Sequence, residues 1–395
     1  MSLRTLALVL SLAPAALTQS PMFRGNPART GVYPAPARPL EGRVAWRFEV
    51  LTDALFNTLE GMDAGPAHAT TPAVVGDRIY VAAGPFLCAL DLEGHLVFRA
   101  KLGGNSLSSP AVAGDTVFLP ADDNRLYAVN ARDGVLRWAV PLGAPTMLKL
   151  TDAWDVFQSS PLVADGRVYV GSADGQVVAL DAATGAVRWR FQTGHVVRSS
   201  PALADGRLFV GSFDGRVYAF EAATGKLLWA RATQEPGVPW QAVQATPAVA
   251  DGLVWIGSRS TFTYGLDPAT GTVRWRHPHK GSWAPSSAAV AGGLAFVGQS
   301  DGKTLSALDA QGQAKWTLRT PGATFASPAL AGDTVYAATN DNYNLAAKGH
   351  LLAVEAASGK VRWDVELPAS AWSSPVVAGD TVYIGCANGW IYAVR

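Results

Sequence analysis

Residues 159–193 read SSPLVADGRVYVGSADGQVVALDAATGAVRWRFQT, and the reading of this stretch decides the fold. Val, Tyr, Leu and Trp alternate with small or polar residues between three turn signals, Asp165-Gly166, Asp174-Gly175 and Thr184-Gly185. Period-two alternation between such turns is the mark of half-buried antiparallel strands. Four strands follow in order: PLVA, RVYVGS, QVVALDA and AVRWRFQT.

The opening proline returns at Pro72, Pro110, Pro161, Pro201, Pro247, Pro328 and Pro375, with Ala288 standing in its place once, which makes eight copies. A four-stranded unit of about 40 residues corresponds to one propeller blade. We therefore expect an all-β chain forming an eight-bladed β-propeller with four-stranded antiparallel blades. A solenoid of the same period would need polar capping repeats at both ends, and neither end supplies one. The last copy, SSPVVAGDTVYIGCANGWIYAVR, stops after its third strand. The segment LEGRVAWRFEV, Leu40 to Val50, is an outer strand with no blade before it, and its Gly42 and Trp46 repeat the spacing of Gly185 and Trp189. This N-terminal strand is expected to close the last blade, which would remove two orphan edges at once.

Of the 395 residues, 49% are hydrophobic and 16% charged, so the chain can bury a large core. A formal charge of +1 supplies no concentrated basic surface for nucleic acid or anionic membrane, and neither partner is expected. Residues 1–20 combine Arg4, an apolar run from Leu6 to Leu12 and small residues after it, the pattern of a cleaved signal peptide. That predicts a periplasmic or secreted protein, organised as signal 1–20, lead-in 21–40 and a single propeller domain 41–395. No other apolar run is long enough to span a bilayer. Because acylation needs a cysteine just after the apolar run, and the two cysteines are Cys88 and Cys386, no lipid anchor is expected. These two fall in the first and last copies, and a disulfide or two buried thiols are both open. A monomer is expected.

The string Ala179, Asp181, Thr184, Gly185, Trp189 recurs with variants at Ala219 to Trp229, Gly265 to Trp275 and Ala353 to Trp363. It resembles the tryptophan-docking repeat of the pyrroloquinoline-quinone-like propeller superfamily, which includes quinoprotein dehydrogenases and non-enzymatic BamB-like relatives. The lead-in PMFRGNPARTG, Pro21 to Gly31, is similar to the mature start of the BamB-like group. The resemblance implies that Trp46, Trp138, Trp189, Trp229, Trp275, Trp316 and Trp363 pack blade against blade, with Phe98 replacing tryptophan once. It also implies either a non-enzymatic scaffold that holds a protein partner in the cell envelope or, alternatively, a quinone-dependent oxidoreductase; a propeller binding a small molecule is a third reading.

Chemistry-bearing motifs are sparse. No adjacent cysteine pair and no C-x-x-C-H haem motif accompanies the quinone reading. Asp181 and its equivalents read as turn formers. Gly298, Ser300 and Gly302 spell a nucleophile-elbow string, but they align with the hairpin of Ser172 to Gly175, where no helix follows. His277 and His279 lack a third metal ligand nearby, and Asn340, Asp341, Asn342 and Asn344 lack calcium-loop spacing. We expect no catalytic residue, no cofactor and no metal.

A four-stranded meander places the connections between blades, and those between second and third strands, on one face. Length variation gathers there, at 51–70, 143–157, 232–243, 277–285 and 339–349. Loops that vary on a rigid scaffold are where binding is built. Trp154, Trp240, Trp283 and Trp372 lie outside the repeat on this face, either as exposed partner anchors or as plugs of the funnel. Gln158, Arg198, Gln244, Phe325 and Trp372 stand three places before the blade proline and should ring the channel mouth. These eight residues form the expected partner-binding set, with Arg198 the one that the BamB-like resemblance carries over most directly.

Overall fold

Turn chemistry sets each blade. In a computed structural model that describes residues 20–51, 68–144, 158–235, 241–340 and 347–395, the quoted stretch forms strands Leu162–Ala164, Arg167–Gly171, Gln176–Asp181 and Val187–Gln192, ordered from the channel outward. Asp165 and Gly166 both adopt positive φ, 50° and 70°, as a two-residue turn between twisted strands requires. Asp181 accepts hydrogen bonds from the amides of Ala183 and Thr184 and pairs with Arg188, which holds its carboxyl down at about 2. It is a turn former, as the sequence suggested.

Seven such blades span 73–101, 111–141, 162–192, 202–232, 248–278, 289–319 and 329–367. The eighth contains Val376–Ala378, Thr381–Gly385 and Trp390–Val394, and its outer strand is Val44–Glu49 from the other end of the chain. That strand pairs antiparallel in the register Val44↔Val394, Trp46↔Ala393 and Glu49↔Trp390. The main chain of Arg43 and Arg395 exchanges two further bonds of 2.7 and 2.8 Å. The propeller is thus closed by its N-terminal strand.

Blade contacts repeat. The outer-strand aromatic lies beside an aromatic of its own second strand, for example Trp189 on Tyr169 at 6.0 Å and Trp138 on Phe118 at 5.8 Å between ring centroids. The same ring presses on the turn glycine of the next blade. A Cβ on Gly225 would stand 2.5 Å from Trp189, and one on Gly134 would stand 2.5 Å from Phe98. The indole N–H of Trp189 donates to Ala222 O at 3.0 Å, fixing one blade to the next. Glycine is required here because any side chain would occupy the ring's place.

Around the channel runs a belt of hydroxyls from the residue just before each blade proline. The amides of Ser109, Ser160 and Ser200 donate to the side-chain oxygens of Ser160, Ser200 and Thr246, each on the next blade. Thr246, Ser287, Ser327 and Ser374 continue in the same way to Ser287, Ser327, Ser374 and Thr71. Short hydroxyls satisfy buried amides where the inner strands converge too tightly for larger groups. Among the described residues no helix is long and apolar enough to cross a membrane. Cys88 and Cys386 are buried free thiols, which decides between the two readings left open.

Candidate functional site

One layer above the hydroxyl belt, on the loop-bearing face, the third residues before the blade prolines form the mouth of a funnel. Blades 3, 4 and 5 contribute Gln158, Arg198 and Gln244, and blades 7 and 8 contribute Phe325 and Trp372. Ala69, Leu107 and Pro285 complete the circle. All five expected mouth residues therefore line one cavity of about 100 Å³. Blades four apart in an eight-membered ring are opposite, so Arg198 faces Trp372 and Gln158 faces Phe325 across the axis.

The two sides differ in chemistry. On the polar side Gln158 accepts from Leu107 N and donates to Asn105 O, which ties it to the neighbouring blade. Gln244 accepts from Arg259 at 2.7 Å, leaving its amide hydrogens as donors. Arg259 is itself sandwiched between Phe213 and Trp283, at 5.1 and 4.6 Å from their ring centroids. On the aromatic side Trp372 packs on Phe325 at 5.0 Å and edge-on to His68 at 6.0 Å. Burial pulls the His68 imidazole down to about 4, so it is neutral at physiological pH. Among the described residues lining the cavity, Arg198 is the one permanent charge and none is a carboxylate.

Placement distinguishes two of the tryptophans outside the repeat. Trp372, 6% exposed, lines the funnel wall against Phe325 and His68, which is the plug alternative of the two left open. Trp283 is half-buried beneath Arg259 and outside the cavity. Trp154 and Trp240 lie outside the described residues, as do Asp341, Asn342 and Asn344.

The remaining motifs resolve into structure. Gly298 ends strand Leu294–Gly298 and the next element is strand Thr304–Asp309, so the elbow string is a hairpin. His279 bonds Thr263 and His277 bonds Gly312 O, and among the described residues no group of three metal-ligating side chains occurs.

The lead-in supplies what the sequence reading missed. Residues 20–33 run inside the channel, and Phe23 forms part of the cavity lining beneath the mouth. Ser20 exchanges main-chain bonds with Val74, while Pro21, Pro27 and Ala28 accept from Val112, Leu203 and Val249. Thr30 and Gly31 accept from Val290 and Leu330, and Val32–Tyr33 then adds as a parallel strand beside Ala329–Ala331. Arg24 and Arg29, both 0% exposed, were the available signal: two arginines in a short segment rich in glycine and proline.

Comparison with known proteins agrees with this architecture. The family model described as "Outer membrane protein assembly factor BamB" matches residues 36–155, 151–283 and 259–395. The outer membrane protein assembly factor BamB of Moranella endobia is 34% identical over 127 residues, 31% of this chain and 31% of that protein. The chain thus aligns with about a third of the length of the curated relatives it matches. Among solved structures, BamB from Moraxella catarrhalis superposes with a TM-score of 0.66 at 18% identity, covering 89% of this chain and 97% of that one. Quinohemoprotein alcohol dehydrogenase from Comamonas testosteroni gives 0.73 at 15% identity, covering 95% and 80%. At those identities the likeness is one of fold.

Proposed function

Given that the chain belongs to the outer membrane protein assembly factor BamB family, we propose that it is a non-enzymatic envelope scaffold that holds a protein partner on its loop-bearing face. The observation that carries this reading is the funnel mouth, where donors from Arg198 and Gln244 stand across from the aromatic pair Phe325 and Trp372. Arginine and aromatic groups in a partly enclosed site are the usual energetic centre of a protein interface. Gln158 and Trp283 brace the polar side, and Trp154 and Trp240, outside the described residues, belong to the same proposed partner set. Residues 1–20 would direct export, which places the partner in the periplasm or outside the cell, with 21–40 as lead-in to a monomeric propeller over 41–395.

A quinone held with calcium does not fit the residues present. That pair needs carboxylates and room in the funnel, whereas the described lining residues include no carboxylate and Phe23 fills the space below. The proposal is tested by capture from envelope extracts with wild type and Arg198→Ala side by side. Retention of outer-membrane assembly components by wild type alone supports it; equal retention by both, or by neither, overturns it.

A further inference from the structure

The inner strands of a propeller are eight sheet edges that converge on one axis, each with main-chain groups that need partners. In this ring those of blades 1 to 7 are met by a segment of the same chain. Reading along residues 20–33, the hydrogen bonds visit blade 1 at Val74, blade 2 at Val112, blade 4 at Leu203, blade 5 at Val249, blade 6 at Val290 and blade 7 at Leu330. The order of the segment is the order of the blades. Blade 3 is reached by a side chain: Arg29 Nη2 donates to Ser160 O at 3.2 Å and Pro161 O at 2.8 Å.

The two guanidiniums bridge what the main chain leaves. Arg29 also donates from Nε to Pro201 O at 2.9 Å and from Nη1 to Phe23 O. Arg24 donates to Ala288 O at 2.6 Å and to Pro328 O. Every acceptor is a main-chain carbonyl, so these bonds depend on the shape of the ring and on no other side chain. A desolvated cation without a carboxylate is costly unless its donors are filled, and the fixed fork of arginine can fill several at once. Burial draws Arg24 to about 10 and Arg29 to about 9, and both remain protonated at neutral pH. Local geometry is equally committed. Arg24 and Arg29 take φ of 63° and 57°, and a Cβ on Gly31 would stand 2.0 Å from the Arg24 guanidinium.

We infer that the channel below the funnel is a peptide-binding site, made of converging sheet edges and specific for a turn-containing segment with arginines five positions apart, and that residues 20–33 are its resident ligand. Strand addition and main-chain capture supply the affinity, while the two arginines supply the selectivity. Since Phe23 lines the cavity above, the occupant of this site is also part of the floor of the proposed partner-binding face.

The test uses the full chain. Residues 34, 35 and 37–39 are exposed between the segment and the closing strand, so a protease recognition sequence inserted after Ala37 can be cut in the folded protein. After cutting, the N-terminal fragment should co-elute with the propeller on gel filtration. A fluorescent peptide of residues 20–33 should exchange into the cut protein, and its Arg29→Ala version should bind at least about tenfold more weakly, the equivalent of one charge-assisted contact. Arg29→Lys should recover part of the loss. A fragment that departs on the first gel filtration, or an Arg29→Ala peptide that exchanges as well as the parent, would overturn the inference. Neither outcome depends on the identity of the envelope partner.

Discussion

The indole of Trp46 lies on Gly94, and through Nε1 it donates to Leu92 O at 2.9 Å, so the N-terminal strand docks onto the first blade in the way that each blade docks onto the next. On its other side the same strand offers Gly42 to Trp363, whose Nε1 donates to Leu40 O at 2.8 Å. The seam where the chain's two ends meet is thus built from ordinary repeat contacts. Trp46→Ala should destabilise the fold by about 3 kcal/mol, as large aromatic truncations do. Gly94→Ala should also destabilise it, because φ is 88° and the new Cβ would fall 2.7 Å from the ring. Thermal melting of both variants checks this; parental melting temperatures would mean that the seam bears no load.

The hydroxyl belt carries a separate expectation. Ser200→Ala removes the acceptor for the amide of Ser160, 2.9 Å away in a buried position. A buried donor left unmade costs about 1–3 kcal/mol. Urea unfolding should show a lowered midpoint with an unchanged slope, whereas Ser200→Thr, which keeps the oxygen, should lose less.

Much of this was legible in the sequence because a propeller writes its fold locally. Asp165-Gly166 announces a turn and Trp189 a docking ring, and eight repetitions make chance agreement negligible. Even the mouth residues could be placed by counting back from the prolines. What could not be read was burial across the ring. Trp372 meets Phe325 from the preceding blade and His68 from beyond the seam, so its exposure depends on long-range closure. The course of residues 20–33 was hidden for a similar reason. Their partners are main-chain groups of blades up to 304 positions away, and such carbonyls leave no trace in residue type.

Acid sensitivity should begin well above the carboxylate range. His68 takes up a proton near 6.5 when unfolded but only near 4 when folded, and burial draws His279 from 6.5 to about 3. Between these values the unfolded state binds more protons, so stability falls as pH drops from 6.5 toward 4 and His68 contributes no further change below that. Asp181, Asp267 and Asp333, each drawn to about 2 by an arginine partner, add a loss only below their usual 3.8. Denaturant midpoints across this range should show the early decline, and His68→Gln should make it shallower.

Added pyrroloquinoline quinone and calcium should not be retained. After incubation and gel filtration, the protein fraction should carry no stoichiometric quinone absorbance and should show no dye-linked alcohol oxidation. Retained absorbance would restore the oxidoreductase reading.

The most direct test of the central claim pairs binding with melting on two residues that face each other across the funnel. Arg198→Ala should reduce retention of the envelope partner by about 2 kcal/mol or more in affinity, with a smaller drop in melting temperature than Trp372→Ala, since Arg198 is itself only 7% exposed. Trp372→Ala should lower both, since that ring is buried against Phe325 and His68. Undiminished partner retention in Arg198→Ala would contradict the claim that the funnel mouth is the binding face.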